Sequence, residues 1–158
     1  MPDYDEALAK LRAEYEDLQF SRFGFDEAWA IGRDLVAVGQ REKLGIAIDI
    51  TANGQVLFHA GLPGSCPDND QWILRKNRVV QRFHKSSLYI STLLLKKGTT
   101  IEEEFGVPWS DYGASGGAVA VRVRGTGVVG TITVSGLRDY EDHNLAADAI
   151  RRYLAANR

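Results

Sequence analysis

The sequence has a single cysteine, Cys66, in 158 residues. That excludes an intramolecular disulfide framework and fits a reducing compartment. There is no basic excess: the formal net charge is -2. Bulk attraction to nucleic acid is therefore not expected. No apolar run approaches the length of a membrane span. The first residues, M-P-D-Y-D-E-A, lack the basic start and apolar stretch of a signal peptide. A cytoplasmic protein with no membrane partner is the expectation. No three-ligand metal spacing and no Cys-x-x-Cys-His haem motif occur. What remains is ordinary for a globular chain: 44% hydrophobic and 25% charged residues. The length fits one domain over 1–158 and is enough to bury a core without metal or disulfide staples.

The opening reads as helical. Tyr4, Leu8, Leu11, Tyr15 and Leu18 repeat at helical spacing over 3–18, and Leu18–Phe23 could be a short extended segment. A second helix is expected from Asp26 as N-cap, with Phe25 stapled onto Ala30 and Ala28, Ile31, Leu35 and Val38 inward. Then G-I-A-I-D-I-T and Q-V-L-F-H-A flank Asn53-Gly54, the strongest short hairpin signal. A two-residue turn there pairs Ile50 with Leu57 and Ile48 with His59, placing His59 on the apolar face as a core or interface histidine.

Gly61–Asn69 is a loop by composition, and its Cys66 has no activating motif around it. Asp70 is the expected cap of a long helix with an apolar stripe of Trp72, Val79, Val80 and Phe83. Lys76 falls on that stripe. Beside it runs a basic line, Arg75, Arg78, Arg82 and Lys85. It is read as a solvated face, as a surface for an acidic partner, or, with Lys76, as an anion-recognition feature. Ser86-Ser87 starts a further helix that Lys96-Lys97-Gly98 stops, and Thr100 with Glu103 makes a capping box.

Gly116–His143 organises the rest. Strands over 117–125 and 128–136 flank a turn at Gly125-Thr126-Gly127. An odd-length loop would mix apolar and polar groups on each face. An even-length loop segregates them, pairing Val119 with Val134 and Val121 with Ile132. The opposite face gathers small residues, Arg122, Thr131, Thr133 and Ser135, and suits a pocket floor or a subunit interface. The last helix, over 139–156, begins S-G-L-R-D-Y-E-D-H. Asp139 is the expected N-cap, with Glu141 and Asp142 in its first turn, so helix initiation accounts for much of this acidic cluster. His143 stands four residues after Asp139 on the same face and could act as a base or a metal ligand.

The pattern W-x3-K-x6-F-x2-S-S, here Trp72, Lys76, Phe83, Ser86 and Ser87, together with V-V-G-T-I-T-V-S-G-L and the E-D-H after it, resembles the haem-degrading-domain superfamily, the HbpS-like and GlcG-like proteins. The resemblance covers nearly the whole chain. It implies an α+β, profilin-like three-layer α/β/α fold with a central antiparallel sheet of about five strands. It also implies a homo-oligomer, and haem as a possible cofactor. By resemblance, Trp72, Lys76, Ser135, Gly136, Glu141, Asp142 and His143 are candidate pocket residues.

Three functions follow as expectations. The first is a binding module holding a small anionic ligand or haem between the Trp72–Phe83 helix and the Ser135–His143 segment, with Lys76 supplying charge and Trp72 a stacking surface. The second is an enzyme in which Asp139 or Asp142 orients a catalytic His143. The third is a protein-interaction scaffold built on the basic line.

Overall fold

The computed structural model describes residues 2–157. The elements run α1 (Tyr4–Asp17), β1 (Gln19–Phe20), α2 (Phe25–Arg41), β2 (Ala47–Ala52), β3 (Gln55–Gly61), α3 (Pro67–Phe83), α4 (Ser87–Lys97), α5 (Ile101–Phe105), β4 (Ala118–Val123), β5 (Gly127–Ser135) and α6 (Asp139–Ala156). The strands form one sheet in the order β1-β4-β5-β2-β3. It is antiparallel except for the two-residue β1, which pairs parallel with β4. This is the profilin-like α+β arrangement that the resemblance implies, with an extended segment inside the expected 18–23 stretch.

The two faces of the sheet differ in chemistry. One carries Ile48, Ile50, Val119, Val121, Ile132 and Val134 and packs against Ala28, Ile31 and Leu35 of α2 and Ala146, Ala149 and Ile150 of α6. The spacing of these helix residues is the 3.6-residue repeat that turns one side of a helix to a sheet. The other face carries Ala118, Ala120, Asp49, Thr131, Thr133 and Ser135, all buried. It is covered by α3 through Lys76, Asn77 and Val80. The expected pocket floor is therefore a filled layer. α3 supplies polar partners for Asp49, Thr133 and Ser135, which offsets the penalty of burying them; Thr131 Oγ1 is buried with no partner among the described residues.

Both hairpins owe their final register to a bulge. At β2–β3 the Asn53-Gly54 turn forms with both residues at positive φ, and Ala52 pairs with Gln55. Leu57 is then the extra residue, so Ile50 pairs with Phe58 and Asp49 with His59. His59 thus shares a face with Asp49, not with Ile48 and Ile50 as its spacing suggests. At β4–β5 the loop is odd-length, Val123 pairing with Gly127, and a second irregularity beside Val129 restores the segregation of faces. Val119 pairs with Ile132 and Val121 with Gly130, two residues from the expected register, yet the same side chains point to the core.

Three helix starts also differ. Gly24, not Asp26, is the N-cap of α2. Its N–H donates to Glu27 Oε1 at 2.7 Å, and Phe25 is left 70% exposed rather than stapled. Cys66 caps α3 ahead of Pro67, placing Asp70 inside the first turn. Arg138 caps α6, and Asp139 is its first residue. Among the described residues, no helix is long and apolar enough to cross a membrane.

Candidate functional site

The candidate residues separate into four places. The first is built around Lys76. Its side chain is buried at the point where Gly116-Gly117 enters β4 and Val134–Gly136 leaves β5. Lys76 Nζ donates to the carbonyl oxygens of Val134 (2.7 Å) and Gly116 (3.1 Å) and lies 3.6 Å from Asp142 Oδ2. Glycine is required here: Gly117 has φ +139°, and a Cβ on it would stand 2.3 Å from Lys76 Nζ. Asp142 also accepts from the N–H groups of Leu137 (2.9 Å) and Gly136 (3.3 Å), closing the turn into α6. Burial pushes the Lys76 amine below the ordinary lysine range against the pull of Asp142. It likewise raises the Asp142 carboxyl against the pull of Lys76. Lys76, Gly136 and Asp142 are therefore together, but the lysine's charge is met inside the fold. An outside anion would have to displace Asp142.

The second place is the α3 start. Asn69 Nδ2 reaches Ser135 Oγ at 3.5 Å. Beyond it a chain of hydrogen bonds crosses the layer. Thr133 Oγ1 donates to Asn77 Oδ1 (2.5 Å), and Asn77 Nδ2 donates to Asp49 Oδ1 (3.3 Å). Thr51 Oγ1 donates to the same oxygen (2.7 Å). His59 closes it, with Nδ1 3.0 Å from Asp49 Oδ2 and Nε2 3.1 Å from Asp70 Oδ1. Burial acts to lower the His59 pKa, but the two carboxylates outweigh it and raise it.

The third place is the loop after α5. Trp72 lies under the Arg75 guanidinium, 4.0 Å from its ring centroid, and Arg75 donates twice to the Trp109 carbonyl. Arg78 donates to the Asp111 carbonyl. Arg82 lies over Phe83 and Tyr112, and Lys85 over Tyr15. The basic line is thus engaged with the protein's own rings and carbonyls, which the sequence spacing does not reveal.

The fourth place is a groove between α1, α4 and α6, about 830 Å³ in volume, with Tyr4, Leu11, Leu88, Thr92, Tyr140 and His143 among its walls. His143 is 1% exposed. Its Nε2 lies 2.5 Å from Glu14 Oε1, and Arg151 donates to the other oxygen, Glu14 Oε2. Because a carboxylate accepts, Nε2 carries the proton and Nδ1 holds a lone pair in the neutral ring. Nδ1 is buried and, among the described residues, has no hydrogen-bond partner. Burial acts to raise the Glu14 pKa, but His143 and Arg151 outweigh it and hold it low.

His143 and Asp142 do not form the expected pair. Successive helix residues point about 100° apart, so Asp142 turns to Lys76 while His143 turns to α1. Asp139 lines the same groove but accepts from the Tyr140 N–H. Glu141 accepts from the Arg138 N–H at the helix start. Sequence reasoning missed Glu14, one carboxylate among several in α1, which the fold turns inward to α6. It also missed Asp49, whose signal was present: a lone carboxylate inside the apolar strand I-A-I-D-I. Among the described residues, no group of three His, Cys, Asp or Glu side chains could hold a metal ion.

A sheet of this order, with an aliphatic layer on one face and a polar layer on the other, both covered by helices, defines a profilin-like α/β/α fold. The sequence matches the family described as haem degrading protein HbpS-like over residues 23–151, and the chain belongs to that family. It is 46% identical over 147 residues to a UPF0303 protein of Streptomyces coelicolor, spanning 93% of each chain. The crystal structure of the Ybr137w protein superposes with a TM-score of 0.86 at 32% identity, covering 94% of this chain and 88% of that one. A more distant structure, a PduOC:heme complex, shares the fold at 16% identity with a TM-score of 0.68, covering 82% of this chain and 93% of that one.

Proposed function

We propose that the protein binds a small molecule in the groove between α1, α4 and α6, with His143 in its floor. One observation carries this reading: a fully buried imidazole held through Nε2 by Glu14, with Nδ1 left without a partner beside a roomy groove. Buried polar atoms are nearly always satisfied, so an orphaned nitrogen at a cavity marks a place for an external donor. The anion-binding expectation moves with it. Lys76 is buried and consumed by Asp142 and two carbonyls, whereas Arg151 and Lys10, which pair with Glu14, Asp148 and Glu6 in more exposed ion pairs, border the groove.

Haem is the first ligand to test, given the family's name and the haem complex of one structural relative. Titration of the purified protein with haemin is expected to give a saturable Soret shift that is weakened in His143→Gln. A Soret band identical to that of free haemin, together with unmoved His143 ring signals across a metabolite set, would remove the groove reading.

The enzyme alternative survives with a changed orienting group. Glu14, not Asp139 or Asp142, fixes the imidazole tautomer, the arrangement a general base needs. Turnover that is lost in His143→Gln while ligand affinity is retained would establish it.

We also propose a homo-oligomer. Support comes from exposed Phe25, Trp29 and Val56 beside edge strand β3, whose Q-V-L-F-H-A-G run has no lysine or proline to protect it. Light scattering giving the mass of one chain would overturn this.

A further inference from the structure

Glu14 is a residue of the protein placed as a ligand would be. Its two carboxylate oxygens are taken by different donors, Oε1 by His143 Nε2 and Oε2 by Arg151. Both donors come from α6, one imidazole N–H and one guanidinium, set to receive a carboxylate two-handed. The element that delivers Glu14 is lightly anchored. Leu8 is the one fully buried residue of the fourteen in α1. A void of about 20 Å³ lies under the helix between Leu11, Tyr15, Tyr89 and Ala120. Tyr15 packs against Val80, Ala118 and Ala120 under the Lys85 and Arg122 cations, and polar ties add to this: Asp5 to Lys96, Glu16 to Arg122, and the Tyr15 carbonyl accepting from Arg122.

We propose that His143 and Arg151 form a carboxylate clamp, that Glu14 occupies it as an internal surrogate, and that α1 is a strap which a carboxylate-bearing small molecule displaces. The inference rests on the groove reading and adds the ligand class and its regulation. The groove meets the clamp, so a ligand whose carboxylate replaces Glu14 has room for its body along the α4 and α6 walls, at Leu88, Thr92 and Tyr140. The clamp is polar and specific, whereas the walls are mixed, the usual composition of a small-molecule site. Tethering makes Glu14 a strong competitor, equivalent to a local concentration in roughly the millimolar range. A free ligand must therefore gain from the groove walls as well as from the clamp.

The test uses the full chain, its Glu14→Gln variant, and two probes of equal shape, benzoate and benzamide. The readout is the ring-nitrogen chemical shift of His143. Removing the internal charge frees two charge-assisted hydrogen bonds, so benzoate is expected to bind Glu14→Gln about ten-fold or more tighter than the native chain. Benzamide is expected to leave the His143 signals unmoved in both. Adding Arg151→Gln to Glu14→Gln is expected to abolish benzoate binding. Should Glu14→Gln lose its helical signature, Glu14→Asp retains the charge but shortens the reach, and the same gain for benzoate is expected in smaller measure. Equal benzoate affinity in the native and variant chains would overturn the strap. Equal response to benzamide and benzoate would overturn the clamp while leaving the groove reading intact. Silence of His143 towards both probes and towards haemin would overturn both.

Discussion

Lys76 Nζ and Asp142 Oδ2 lie 3.6 Å apart with both side chains buried, and they join α3 on one face of the sheet to α6 on the other. They meet around the end of β5, where the chain leaves the sheet at Gly136. Neither residue is near water, so neither can lose its partner cheaply.

Removing one member therefore exposes the cost of the other. Lys76→Met is expected to destabilise the protein by about 3–5 kcal/mol, because Asp142 is left buried and unpaired. Adding Asp142→Asn removes the stranded charge while an amide oxygen still accepts from the Gly136 and Leu137 N–H groups. The double variant is expected to be more stable than Lys76→Met alone. Urea unfolding checks both statements. A Lys76→Met protein as stable as the native one would show that the pair contributes nothing.

A second expectation concerns pH. Burial opposes protonation of His59, but Asp49 and Asp70 outweigh it, so the folded-state pKa stands above the ordinary 6.5. A raised folded-state pKa means that the folded protein holds its proton more tightly than the unfolded chain does. The contribution is thus fully present below pH 6.5 and is lost as the pH rises through the folded value. Melting temperatures of the native protein and His59→Gln, measured from mildly acidic to mildly alkaline pH, are expected to converge as pH rises. Because His59 is well exposed, the difference will be modest. A gap that widens with pH would contradict the arrangement.

The third expectation is steric. The Phe58 ring sits on Gly32 of α2, where an added Cβ would stand 2.4 Å from the ring carbon. Gly32→Ala removes a helix-weakening glycine, which alone would stabilise α2. The clash wins: overpacking of this kind costs about 1–3 kcal/mol. Thermal unfolding should show a net loss, and adding Phe58→Leu should recover part of it.

The apolar half of the fold was legible because it obeys simple periods. Ile48, Ile50, Ile132 and Val134 alternate, and the inward residues of α2 and α6 recur every three or four positions. The strands' partners were less legible. A bulge at Leu57 turned His59 to the polar face, and one beside Val129 rescued the face assignment from the odd-length loop. Bulges leave little trace in composition. From the sequence, Lys76 is expected to face an anionic ligand near the β5 exit; it lies at that exit, but the acid it meets is the protein's own Asp142. The partner of His143 was not legible. Glu14 is 129 positions away, and nothing local distinguishes it from the other carboxylates of α1.

The sheet order carries a consequence for biosynthesis. β5, the last strand to be made, lies at the centre, between β4 and β2. Until it emerges, the β2–β3 hairpin cannot join β1 and β4. Glu14 must wait longer still, for His143 and Arg151. At about 5–20 residues per second, Glu14 spends roughly 6–26 s with its α6 partners unmade. A chain so wired cannot settle element by element. It closes in one late, cooperative step, and a truncation that removes α6 leaves Glu14 without either of its two partners.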